Sequence, residues 1–273
     1  MELHDLNKIA SEFNNTETMP LLFVGHGNPM NAITRNEFTD EWNRVGKLLP
    51  KPSAIVCISA HWETNGTCVT SMENPRTIHD FYGFPKELSE VEYKAAGSPY
   101  LAGETKKLIT KTRLELDTKW GLDHGCWSVV MHLFPGADIP VIELSLDYTK
   151  QALWHYELAK EISFLRKKGV LIIGSGNIVH NLRMVNWENT EGFDWALEAN
   201  QKFKDLISSN EFSSLINYNN LGAEVQLAVP TPEHFLPLLY VLGLKEENEN
   251  IHFFNDKTEL GSIAMTSLMI DSK

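Results

Sequence analysis

LLFVGHGNPM, residues 21–30, is the stretch from which the fold can be read. Leu21–Val24 is a short, unbroken apolar run, the pattern of a strand covered on both faces. Gly25 and Gly27 then permit tight backbone geometry, and Pro29 stops the strand from continuing. His26 is therefore delivered at a strand end. AIVCISAHWE (54–63) repeats the arrangement with His61, and GVLIIGSGNIVH (169–180) follows it with His180. In an open α/β sheet the ligand crevice lies just beyond the carboxyl ends of the strands. The three histidines are expected at that edge.

Outward from these runs, strands are expected at Leu21–Val24, Ala54–Ser59, Ile139–Ser145, Val170–Gly174, Glu224–Val229 and Ile263–Met269. Helical patterns alternate with them at Glu37–Leu48, Pro99–Leu116, Thr149–Lys168, Phe193–Ser208 and Pro232–Leu242. The third of these ends in RKKG, basic residues in the last turn followed by a C-cap glycine. Pro232 suits a first helical turn, where its missing N–H costs nothing. Residues 62–98 are less regular and read as a long functional loop or a small hairpin lobe. The alternation predicts an α/β fold, a single three-layer α/β/α domain around a mostly parallel, mixed central sheet. Residues 1–18 read as a polar leader with at most one short helix, and 19–273 as the domain itself.

A chain of 273 residues is long enough to bury a sizeable core. A formal charge of −12 argues against nucleic acid, which needs a basic face, and against docking on anionic membranes. The longest apolar runs fall far short of the ~20 residues that span a bilayer. The N-terminus carries acids early and lacks the apolar core of a signal peptide. Cys57, Cys68 and Cys126 are an odd, scattered set with no CxxC, which points to a reducing compartment. The expectation is a cytoplasmic protein, monomeric or a small homo-oligomer.

A third candidate ligand arrives on a distant segment, His234 in VPTPEHFLPLLY (229–240), with Glu233 beside it. Two histidines and one carboxylate would suit non-haem Fe(II) and O2 chemistry, whereas three histidines would suit Zn(II) equally well. Residue chemistry alone does not choose between Glu233 and His234. His180 is a candidate fourth ligand or general acid/base, because an imidazole near pKa 6.5 transfers protons at neutral pH. His124, in GLDHGCW, could be oriented by Asp123. His4, His79, His132, His155 and His252 are assigned structural or surface roles. No nucleophile elbow, phosphate-binding loop or dinucleotide fingerprint is present. Trp62, Phe81, Tyr82, Phe84 and Trp127 could wall a planar aromatic substrate.

Taken in order, GHGNPMNA (25–32), SAHWE (59–63), TIHDFYGFP (77–85), DHGCW (123–127), GSGNIVHNL (174–182) and TPEHFLPLLY (231–240) resemble the class III extradiol ring-cleavage dioxygenases of the LigB-like superfamily, in its 4,5-DOPA dioxygenase-type branch. The resemblance spans roughly residues 20–270. It implies a mononuclear site with His26, His61 and His234 as ligands, which favours His234 over Glu233. It implies His180 as the acid/base, near enough to serve as a fourth ligand in some resting states, and His124 as a second catalytic histidine of the pocket. The implied metal is one divalent ion per chain, Fe(II) for activity with Zn(II) commonly found in isolated members. The implied partners are a small-molecule catechol such as DOPA and O2. Arg183 is a weak candidate for a substrate carboxylate. Two alternatives use the same scaffold: a zinc hydrolase with Glu63 or Glu233 as base, and a non-enzymatic member that binds metal or peptide.

Overall fold

The computed structural model describes residues 17–272. The leader expected over residues 1–18, with His4 and its short helix, lies outside them except for its last two residues. Six strands form the main sheet: β1 (Leu21–Gly25), β2 (Ala54–Ser59), β3 (Val141–Glu143), β4 (Val170–Gly176), β5 (Asn250–Phe254) and β6 (Ser267–Asp271). Their order is β3-β2-β4-β1-β6-β5. The four from β3 to β1 run parallel, and β6 and β5 continue the sheet antiparallel. The mostly parallel, mixed sheet is thus as expected.

Strand alternation divides the core into two layers. Leu21, Phe23, Val56, Ile58, Val170 and Ile172 face one side, where they pack with α2 (Pro99–Leu108), α4 (Ala152–Lys160), α5 (Asp194–Ser208), α6 (Ala223–Ala228) and α7 (Leu236–Gly243). Leu22, Val24, Ile55, Cys57, Leu171 and Ile173 face the other, against α1 (Glu37–Leu48) and α3 (His124–Leu133). Burial on both faces explains why these strands read as continuous apolar runs.

Local chemistry sets several element ends. Asn36 and Thr39 form a reciprocal capping box on α1. Ser98 caps α2, with Pro99 in its first turn. Gly169 takes the left-handed conformation (φ 75°) that closes the basic turn before β4.

Elsewhere the expected elements are shorter or different. Glu224–Val229 is not a strand but lies mostly in α6, where Val225 and Ala228 are buried while Gln226 and Leu227 are exposed. That is a helical period, hidden in a run too short to show it. The helix expected over Pro99–Leu116 stops at Leu108, and Leu114–Asp117 is a strand paired with Thr67–Thr70. Thr149–Lys168 divides into α4 and a 3-10 segment at Ser163–Lys168. Pro232 precedes α7 in a turn closed by hydrogen bonds from the Phe235 and Leu236 amides to its carbonyl. Ile263–Met269 divides between a two-residue strand, Ile263–Ala264, and β6. Residues 62–98 form no hairpin lobe: their strand Thr67–Thr70 pairs with Leu114–Asp117, and the rest is largely irregular. All three cysteines are free thiols.

Candidate functional site

The parallel strands β1, β4 and β2 are neighbours, so their carboxyl ends converge. The His26 amide donates to the Gly176 carbonyl and the Ala60 amide to the Ser175 carbonyl, which extends the ladder past the formal strand ends. His26, His61 and His180 thus come to one edge, as expected. His124 joins them as the first residue of α3, whose cap is Asp123: the Asp123 Oδ1 accepts from the Cys126 amide at 3.1 Å. His234 arrives on the turn before α7, fastened where its carbonyl accepts from the Asn177 amide at 2.9 Å. Gly176 is required there, because a Cβ would stand 2.1 Å from the His234 carbonyl oxygen.

The five rings form one cluster. Centroid separations are 5.0 Å for His26–His61, 5.3 Å for His26–His234 and 5.0 Å for His61–His234. His124 lies 3.9 Å from His61, and His180 stacks on His234 at 3.5 Å. Two sets of donor atoms lie within 4.8 Å of one another, one from His26, His61 and His124, the other from His180, Glu233 and His234. The expected trio of His26, His61 and His234 straddles the two.

The hydrogen-bond partners fix which ring nitrogens face inward. His26 Nδ1 lies 3.0 Å from Ser175 Oγ, whose own proton goes to the Gly125 carbonyl at 2.6 Å. Ser175 can therefore only accept, and His26 carries its proton on Nδ1. His234 Nδ1 faces Glu233 Oε1 at 3.0 Å, and Thr231 Oγ1 donates to the same oxygen. His61 Nδ1 lies 3.1 Å from Asp80 Oδ2. Each of the three Nδ1 atoms meets an acceptor, so each ring, when neutral, turns the lone pair of its Nε2 inward.

His26 Nε2 and His61 Nε2 stand 3.1 Å apart. Two bare lone pairs at that distance repel unless a proton or a metal cation lies between them. Two nitrogens at ~2.0–2.1 Å from one tetrahedral ion would themselves be ~3.3 Å apart. The donor set therefore fits a divalent metal.

Electrostatics favour the neutral form in four of the five rings. Burial pushes His26 and His234 well below the usual histidine value, and the neighbouring imidazoles add to it. Burial, then His61 and His124, push His180 down to about 3. Burial also lowers His124. His61 differs, since burial lowers it but Asp80, Asp123 and Glu233 outweigh that effect and leave it raised.

The cluster forms the floor of a cleft of about 690 Å³, walled by Phe81, Phe84, Val185, Trp187 and Ile263. Trp62 and Trp127 are instead buried core, with Trp62 stacked on Trp120 at 5.7 Å. Arg183 is exposed and does not line the cleft. His79, His132 and His155 take the structural roles assigned to them: His79 bonds the Val91 carbonyl, His132 the Asn31 carbonyl and His155 the Tyr240 hydroxyl. His252 is exposed on β5, 3.5 Å from Asp271.

Sequence reasoning missed Asp80, Ser175 and the orienting part of Glu233. Asp80 stood in the quoted TIHDFYGFP segment, but nothing local marks a carboxylate as facing histidines 19 and 44 positions away.

No helix among the described residues is long and apolar enough to cross a membrane. Residues 21–266 match the family described as the catalytic LigB subunit of aromatic ring-opening dioxygenase. The chain is 44% identical to a 4,5-DOPA dioxygenase extradiol of Escherichia coli K12, across 92% of this chain and 94% of that protein. It is 34% identical to a protein of the same name from Beta vulgaris, across 97% and 100%. The crystal structure of an uncharacterized Escherichia coli K12 protein superposes with a TM-score of 0.79 at 40% identity, covering 93% of this chain and all of that one.

Proposed function

The chain belongs to the LigB family of aromatic ring-opening dioxygenases, and we propose that it is a cytoplasmic, Fe(II)-dependent extradiol enzyme that opens a catechol ring with O2. DOPA is the substrate to which the names of its relatives point. The observation that carries this reading is the set of inward lone pairs at the floor of an aromatic-walled cleft. Residues 19–273 serve as one catalytic domain.

His26, His61 and His234 would hold the metal, with His180 close enough to be a fourth ligand. When bound, a divalent metal supplies the Lewis acidity that favours an ionised catechol, and iron, unlike zinc, adds electron transfer to dioxygen. Three imidazole ligands bring no negative charge of their own to the metal, so an anionic catecholate is a favoured occupant.

The remaining chemistry belongs to side chains. His180 is neutral and, among the described residues, no group hydrogen-bonds its ring, so it is free to accept a catechol proton and return it later. His124 faces the same cleft and can hydrogen-bond a substrate hydroxyl. Phe81 and Phe84 offer faces against which an aromatic ring packs, and they shield the floor from water.

The test is oxygen uptake by protein loaded with Fe(II) under anaerobic conditions and then given DOPA, with the zinc form as control. Uptake with a yellow ring-opened product in the iron form alone is expected. No uptake with DOPA, caffeate or protocatechuate would transfer the assignment to zinc hydrolysis or a binding role.

A further inference from the structure

One carboxylate touches two histidines of the cluster. Asp80 Oδ2 lies 3.1 Å from His61 Nδ1, and Asp80 Oδ1 lies 2.9 Å from His124 Nδ1. The same Oδ1 accepts the His124 backbone N–H at 2.9 Å. The His124 side-chain contact is close but lies off the line of a hydrogen bond. A bare nitrogen lone pair that close to a carboxylate oxygen is repulsive, so both Nδ1 atoms carry their protons. Asp80 sits with a side chain about one-fifth exposed.

Asp80 also belongs to the cleft wall. Phe81 follows it directly, and its ring meets His124 at 5.6 Å and Phe84 at 5.5 Å, both edge-on. The segment is fastened from below by the Trp127 indole N–H, which donates to the Ile78 carbonyl at 2.8 Å.

We infer that Asp80 is a positioning residue whose single carboxylate sets ring orientation and proton placement for both His61 and His124, and so couples metal affinity to the loop that walls the substrate cleft. The inference rests on the metal-site reading above. Outer partners of ligand histidines commonly alter metal affinity by 10–100-fold. Here one partner serves both a ligand and a catalytic histidine, so removing its charge affects both.

Asp80→Asn separates this role from simple loop anchoring, because its amide oxygen can still accept the His124 backbone N–H. Zn(II) affinity of the full chain is measured by competition with a chromophoric chelator, and amide hydrogen exchange over residues 78–85 is followed with and without Zn(II). Wild type is expected to bind Zn(II) and to slow exchange in that segment. Asp80→Asn should keep the wild-type circular dichroism, bind Zn(II) ~10–100-fold more weakly, and lose the metal-dependent slowing even at saturating metal. Affinity within twofold of wild type, or equal slowing in both proteins, would overturn the inference and leave the metal-site reading standing. Failure of wild type itself to bind Zn(II) would overturn both.

Discussion

His180 and His61 are both cleft histidines, yet their surroundings assign them different work. His61 is held at Nδ1 by Asp80 and turns Nε2 toward His26 at 3.1 Å. His180 has no such tether among the described residues and stacks flat on His234. His180→Ala is therefore expected to keep its metal while kcat falls on the order of 10²–10⁴-fold, the usual worth of a positioned acid/base. His61→Ala should lose metal outright. Metal analysis of both purified variants beside their turnover checks this, and full ring cleavage by both would refute the site. At this scale the sequence was partly legible. Each histidine at a strand end was visible from the apolar run before it, but no local signal shows which ring nitrogen is tied back. Ser175 illustrates the gap: as a strand residue it looks like packing, and only its contacts with His26 and Gly125 reveal it as an acceptor.

Two glycines make opposite predictions at the scale of elements. Gly176, the last residue of β4, has the His234 carbonyl where its Cβ would be. Gly176→Ala must push the 231–235 turn outward, at a cost of roughly 1–3 kcal/mol for overpacking. Because that turn carries His234, metal affinity should fall together with stability. Gly103, inside α2, has nothing within 4 Å of the place a Cβ would take. Gly103→Ala is expected to stabilise by about 0.5–1 kcal/mol through helix propensity and to leave metal binding unchanged. Urea unfolding and a metal titration on both variants check the pair; a destabilised Gly103→Ala would show that the space beside it is filled. The strands of the parallel sheet were legible because burial on both faces writes an uninterrupted apolar run into the chain. The helix at Ala223–Ala228 was not, since six residues make less than two turns and the same run fits either period. Edge strand β5 was missed for a related reason: NIHFF alternates exposed and covered positions at the margin of the sheet.

For the molecule as a whole, one carboxyl links pH to stability. Burial, and then the nearby Glu37, raise Glu259 to about 7. An unfolded glutamate titrates near 4.3–4.5, so between those values the folded protein binds the proton more tightly than the unfolded chain. The contribution of Glu259 is fully present below the lower value and is lost as pH rises through about 7. Glu259→Gln, which cannot ionise, should remove that loss. Denaturant midpoints at pH 5 and pH 8 are expected to fall less in the variant than in wild type over this interval, and identical pH slopes would contradict the assignment. Across the whole chain, the α/β class, the strand ends that carry His26, His61 and His180, and the stop at Gly169 are legible from sequence, because periodicity and glycine turns act over a few neighbouring residues. That Glu233 backs His234, that Ser175 backs His26 and that Asp80 joins His61 to His124 emerges from the packed fold. Apart from the adjacent Glu233–His234 pair, those partners come from segments 19 to 149 residues apart. Even there, His234 reaches the cleft on a turn that the Asn177 amide fastens beside the end of β4. Such meetings are set by the packing of the sheet and its loops, a long-range property that no local pattern encodes.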